Sequence, residues 1–163
     1  MCRFCPNPIR LTFTCSLLNE WATCQMTVYN LYIYGKNGDS LYYREWTQTK
    51  QGECPSDNDL KLMRGMLIGL KGFCQKISPL DYEINRFSYV TNTYRLHFYE
   101  TPTLMKIVLT TDNSCTPMND ELEGIFQIYT KYVSQNPLIK SEGPIKSQAF
   151  SEKLDQYVQI VSF

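Results

Sequence analysis

The chain has 163 residues, and its 16 lysines and arginines are balanced by 16 aspartates and glutamates. That length makes one ordinary domain, able to bury a core without disulfide or metal staples. Zero net charge with no basic stripe argues against a nucleic-acid binder, and apolar runs as short as "MLI" before Gly69 fall far short of a membrane span.

Residues 1–25 read differently from the rest. Their apolar patch "LTFTCSLL" follows Arg3 and Arg10, as in a secretory signal, but Glu20 and Trp21 stand where a cleavage site wants small residues. Patterned sequence starts at Met26, so residues 1–25 are expected to be an extension outside the fold, with the domain spanning 26–163. Seven cysteines are scattered, four of them in this extension (Cys2, Cys5, Cys15, Cys24) and three beyond it (Cys54, Cys74, Cys115). An odd count without regular spacing makes a poor disulfide framework, and "CRFC" lacks the second pair a zinc site needs. Reduced thiols in a cytosolic protein are the expectation, with no metal and no cofactor.

"TVYNLYIYGKNGDSLYYREW" (27–46) is two alternating aromatic runs around Asn37-Gly38, which predicts a hairpin closed by a tight primed turn. In the first arm Tyr29, Leu31 and Ile33 are expected on one face. In the second, Tyr42, Arg44 and Trp46 alternate with Leu41 and Tyr43. Tyrosine suits half-wet protein interfaces, although strands also favour it for packing.

Ser56 is a good N-cap, and Asp57 and Asp59 suit the positive end of a helix dipole. The helix predicted over 57–76 carries Leu60, Met63, Leu67, Leu70 and Cys74 at three- and four-residue spacing. Leu62, Met66 and Phe73 widen its apolar stripe beyond what one sheet face covers. Gly65, Gly69 and Gly72 each cost a helix about 1 kcal/mol against alanine. They fit either the close approach of another backbone or tolerance over a crowded sheet. "ISPLD" ends the helix through Ser78-Pro79.

Strands follow at "RFSYVTN" (86–92), "TYRLHFYE" and "LMKIVLTTD", the last two joined at "ETPT". Thr116 then caps, and Pro117 opens, a helix to about Ser134 with Met118, Leu122, Ile125, Phe126, Tyr129 and Val133 on one face. Asn136-Pro137 stops it. A last amphipathic helix carries Phe150, Leu154, Tyr157, Val158 and Val161. Five strands with helices for both faces make an α+β sandwich.

The lone histidine, His97, invites an enzymatic reading. Strand alternation sets it between Arg95 and Tyr99 on one face and turns Glu100 to the other. A neighbouring cation does not raise imidazole basicity. No nucleophile elbow, zinc-protease or phosphate-loop pattern occurs, and a pairing with Cys54, Cys74 or Cys115 has no placement. His97 is read as a strand residue whose replacement by glutamine changes stability modestly and removes no chemistry.

From Met26 onward the chain resembles the small longin-like subunits of trafficking protein particle tethering complexes. The resemblance rests on "MTVYNLYIYGKNGDSLYYREW", "KLMRGMLIGLKGFCQKISPLD", "YRLHFYETPT", "IVLTTD" and "SEKLDQYV". Leu104 stands where that family commonly has glycine after "ETPT", which leaves the geometry of that turn open. The resemblance implies a longin fold: a five-stranded antiparallel sheet with one helix on one face and two on the other. It also implies a non-catalytic core subunit of a complex that acts as guanine nucleotide exchange factor for a Rab GTPase in ER-to-Golgi transport. The partners would be other subunits and, through a composite surface, the GTPase. The protein would be cytoplasmic, peripherally associated with Golgi and endoplasmic reticulum membranes through the complex. The alternative within the fold is a small subunit of a clathrin-adaptor-type coat. Candidate partner contacts are Met66, Gly69 and Phe73 on the helix, and Tyr32 and Tyr42 in the hairpin.

Overall fold

Alternation from Val28 builds the first two strands. In the computed structural model, which describes residues 27–47, 55–79, 83–114, 118–137 and 143–161, β1 (Val28–Tyr34) and β2 (Ser40–Glu45) pair antiparallel. There follow α1 (Asp57–Ile77), β3 (Arg86–Val90), β4 (Arg95–Glu100), β5 (Lys106–Thr111), α2 (Asn119–Tyr129) and α3 (Gln148–Val161). The strands lie in the order β2-β1-β5-β4-β3, every neighbouring pair antiparallel. This is the longin arrangement. The expected extension and Cys54, Cys115, Thr116 and Pro117 lie outside the described residues.

The turn between β1 and β2 differs from the primed two-residue turn expected at Asn37-Gly38. The Gly35 N–H donates to the Asp39 carbonyl at 2.9 Å, and the Gly38 N–H to the Gly35 carbonyl at 2.9 Å. Three residues therefore form the loop, and Gly38 takes a φ of 89°. A primed turn needs positive φ at both central residues, whereas the three-residue loop asks it only of the last. Asn37 is spared.

Two irregularities re-aim side chains that simple alternation misplaces. Val28 pairs with Thr111 but Asn30 with Thr110, so Tyr29 is the extra residue. Val28, and not Tyr29, thus joins Leu31 and Ile33 in the core. Likewise Ile33 pairs with Tyr42 and Tyr34 with Ser40, so Leu41 is passed over and packs on the same side as Tyr42. One inserted residue reverses the alternation beyond it.

Leu60, Met63 and Leu67 of α1 pack on Tyr32, Tyr34, Leu96, Phe98 and Val108. Leu67 is fully buried, and its truncation to alanine costs about 2–5 kcal/mol. The opposite face packs Leu31, Ile33, Tyr99, Ile107 and Leu109 under Leu122 and Ile125 of α2 and Phe150, Leu154 and Val158 of α3. At α1's start the Asp59 N–H donates to Ser56 Oγ at 3.2 Å, and Asp59 accepts from the Ser56 N–H at 3.0 Å. That reciprocal pair satisfies two otherwise orphaned donors. The second helix reaches Ser134 only by widening into a π-helical turn, Thr130–Ser134. The α2 and α3 helices approach closely at Gly124, where a Cβ would run into the Tyr157 phenol.

Candidate functional site

The outward side of α1 is apolar and uncovered. Leu62 is 64%, Met66 44% and Phe73 60% exposed. Gly65, Gly69 and Gly72 lie on the same outward side, and a Cβ added to any of them would meet nothing within 4 Å. These glycines lower helix propensity without giving any described part of this chain a closer approach. Two of the lysines on this helix are paired locally. Lys61 pairs with Asp57 at 2.6 Å, and Lys71 pairs with Glu100 and, at 3.8 Å, with Glu83. What faces outward between Leu62 and Phe73 is a largely apolar helix surface with a shallow glycine track, and the exposed Lys76 stands one turn beyond it.

Beside that surface runs a trench of about 830 Å³. Leu62, Met63 and Met66 form its helix wall, and Asn30, Leu96 and Thr110 belong to the strands that floor it. The site is thus a helix flank and a partly open sheet face. Helical spacing alone gives its apolar wall, whereas Asn30, a single polar residue inside a strand, has no spacing signal of its own.

Met66, Gly69 and Phe73 stand where a partner can reach them. The two hairpin candidates are used within the chain. Tyr32 is buried, its ring 5.0 Å from that of Tyr43, and burial, with the nearby Glu45 carboxylate, pushes its phenol pKa up. Tyr42 donates to Ser151 Oγ at 3.0 Å and meets Phe150 edge-on at 5.0 Å, so it clamps α3 onto the sheet.

His97 is in the core, 2% exposed. The Thr111 hydroxyl donates to the Asp112 carbonyl at 3.1 Å, so at 2.9 Å it accepts from His97 Nε2–H. Nδ1 then accepts, at 3.5 Å, from the Met118 N–H at the head of α2. Only a neutral imidazole satisfies both contacts. Burial, and secondarily the Arg95 charge, lowers its pKa to about 4. Cys74 sits on α1, which covers the opposite sheet face. His97 is a core residue, not a base awaiting substrate.

Glu100, on the α1 side, is held between two ammonium groups, Lys71 and, at 3.2 Å, Lys106. Burial pushes its carboxyl up, and the bonds and charges of both lysines more than offset that, leaving it below the ordinary value. The cluster ties α1 to β4 and β5.

A family model described as the Sybindin-like family matches residues 28–161. Trafficking protein particle complex subunit 1 of Rattus norvegicus is 41% identical over 139 residues, covering 85% of this chain and 96% of that protein. The subunit 1 of Dictyostelium discoideum is 37% identical over 140 residues, covering 83% and 98%. More distantly, trafficking protein particle complex subunit BET5 of Saccharomyces cerevisiae is 31% identical over 120 residues, covering 69% and 76%. A family match from the first residue of β1 to the last of α3, with relatives aligned along most of their own length, shows that this chain belongs to the Sybindin-like family.

Proposed function

We propose that this chain is a non-catalytic core subunit of a trafficking protein particle complex. It assembles with other small subunits into a hetero-oligomer whose composite surface acts on a Rab-family GTPase as a nucleotide exchange factor in ER-to-Golgi transport. The names of the relatives support the complex. The single observation that carries the assembly role is the outward side of α1, with Leu62, Met66 and Phe73 exposed beside three unapproached glycines. Uncovered apolar surface on this scale marks a protein contact. Exchange asks the complex to favour the nucleotide-free GTPase, which needs shaped surface and no bond-making residue. The subunit works in the cytoplasm and reaches Golgi and endoplasmic reticulum membranes only through the complex.

Gly69→Glu is the probe, because its side chain meets no neighbour in the isolated chain. The expected result is a Tm for the isolated chain equal to or a few degrees above wild type, since glutamate is the better helix former, with loss of co-purification with the other small subunits. Release of a fluorescent guanine nucleotide from the GTPase should be accelerated by the assembled complex and not by the chain alone. Exchange catalysed by the isolated chain, or full assembly of the Gly69→Glu variant, would overturn the reading.

A further inference from the structure

We infer that the groove between α2 and α3 docks an amphipathic helix of a partner subunit, whose apolar side chains enter the groove and whose carboxylates meet Lys131 and Lys153. The inference rests on the assembly reading above and adds a second contact to it, on the sheet face that α1 does not cover.

The groove has a volume of about 380 Å³. Gly124, Ile128 and Lys131 line it from α2 and its π-helical turn, and Lys153, Tyr157 and Ile160 from α3. Three- and four-residue spacing puts each set on one helix face. Gly124 lies against the Tyr157 phenol, and Tyr129 meets Phe150 edge-on at 6.3 Å, so the two helices run antiparallel. From the Gly124–Tyr157 contact, Lys131 and Lys153 therefore lie in the same direction, about two turns and one turn away. That end of the groove is basic, and no residue that lines the groove is acidic.

Both cations lack a counter-charge. Among the described residues neither meets a carboxylate, whereas Arg44, Lys61, Lys71, Arg86 and Lys106 each do. Lys153 donates to Gln156 Oε1 at 3.0 Å, and Lys131 stands 5.7 Å from the centre of the Tyr132 ring. Toward the other end Ile160 is 74% exposed.

These features select the occupant. It must bring apolar side chains to Ile160 and carboxylates to the lysines. A helix supplies both while satisfying its own backbone. An extended strand would bury backbone groups without partners, since those of α2 and α3 are used within the helices. An anionic membrane is disfavoured, because Asp120 and Glu152 are exposed on the same two helices and the Glu121 charge bears on Tyr157.

The test is affinity for the co-expressed small subunits at low and high salt, measured with the double variant Lys131→Glu/Lys153→Glu. Both lysines are exposed, so the isolated variant should melt within a few degrees of wild type. Its affinity should fall about tenfold or more. Wild-type affinity should weaken as salt rises, and Lys131→Met/Lys153→Met should flatten that dependence. Ile160→Ser should weaken assembly several-fold without altering the salt response, and it decides the matter should the charge variants fail to fold. Affinity within about twofold of wild type for folded Lys131→Glu/Lys153→Glu, or for Ile160→Ser, overturns the inference. If Gly69→Glu still blocks assembly in that case, the broader role survives. Binding to phosphatidylserine vesicles that the charge reversal abolishes, with subunit affinity unchanged, would assign the lysines to a membrane and overturn the inference as well.

Discussion

Gly38 and Leu104 occupy the same position in two loops of the same design. In the first hairpin Gly35 bonds Asp39 and Gly38 bonds back to Gly35. In the second, between β4 and β5, the Thr101 N–H donates to the Met105 carbonyl at 2.8 Å and the Leu104 N–H to the Thr101 carbonyl at 2.9 Å. Both third residues are left-handed, Gly38 at φ 89° and Leu104 at φ 64°. Glycine takes that conformation freely, whereas an L-residue with a Cβ pays about 1–2 kcal/mol.

Leu104→Gly should therefore stabilise the chain by about 0.5–1 kcal/mol, the relieved strain less the extra freedom glycine gives the unfolded state. Leu104 is exposed, so little packing is lost. Gly38→Ala should do the reverse by about 1 kcal/mol or more, since its Cβ would also collide with the Arg64 guanidinium. Urea melts of the two variants check the signs; equal effects would refute the shared loop.

His97 makes stability depend on pH in a defined window. Its folded pKa, about 4, lies below its unfolded value near 6.5, so between those values the unfolded chain binds the extra proton. Stability is full above about pH 6.5 and falls as pH drops toward 4, by up to roughly 3 kcal/mol. His97→Gln should flatten this slope. The variant should also lose about 1–2 kcal/mol at pH 7, because one of two buried partners, Thr111 or Met118, is left unbonded. That exceeds the modest change expected of an ordinary strand residue. Melts at pH 7, 5.5 and 4.5 distinguish the two effects.

Glu100 acts lower on the pH scale. Its folded pKa is depressed below 4.5, so its contribution is present above that value and is lost as pH falls through the folded pKa. Glu100→Gln leaves the ammonium groups of Lys71 and Lys106 crowded in a mostly buried place, at a cost of about 3 kcal/mol. Double replacement of Glu100 by Gln and Lys71 by Met should recover part of the loss. No recovery would show that the carboxylate and Lys71 are not coupled.

Removing residues 1–25 should leave the domain folded, with Tm unchanged within a few degrees. The family match starts only at residue 28, where β1 begins. A large fall in Tm on truncation would make the extension part of the core.

Much of the architecture was legible because each element carried its own local signal. Ser56 with Asp59 marked the start of α1, Pro79 its end, and the Leu60–Met63–Leu67 spacing its buried side. The Leu62, Met66 and Phe73 excess foretold an uncovered flank. What escaped were non-local effects. Tyr29 and Leu41 change faces because of irregular pairing with β5 and β2, which no spacing within β1 reveals. Tyr42 looked like spare surface until α3, more than a hundred residues away in sequence, supplied Ser151 and Phe150 to occupy it. Asn30 Oδ1 is buried without a donor among the described residues, which depends on its tertiary neighbours and not on any spacing within β1.

The pairing of Lys61 and Lys71 with carboxylates of this same chain also sets the physical character of any contact made across α1. The outward stretch from Leu62 to Phe73 offers mainly carbon and bare backbone, and Arg64 and the exposed Lys76 are the cations left at its borders. Association there should depend only weakly on ionic strength, with those two cations the charges that salt would screen. It should instead carry a negative heat-capacity change and loosen on cooling, the calorimetric mark of water released from apolar surface.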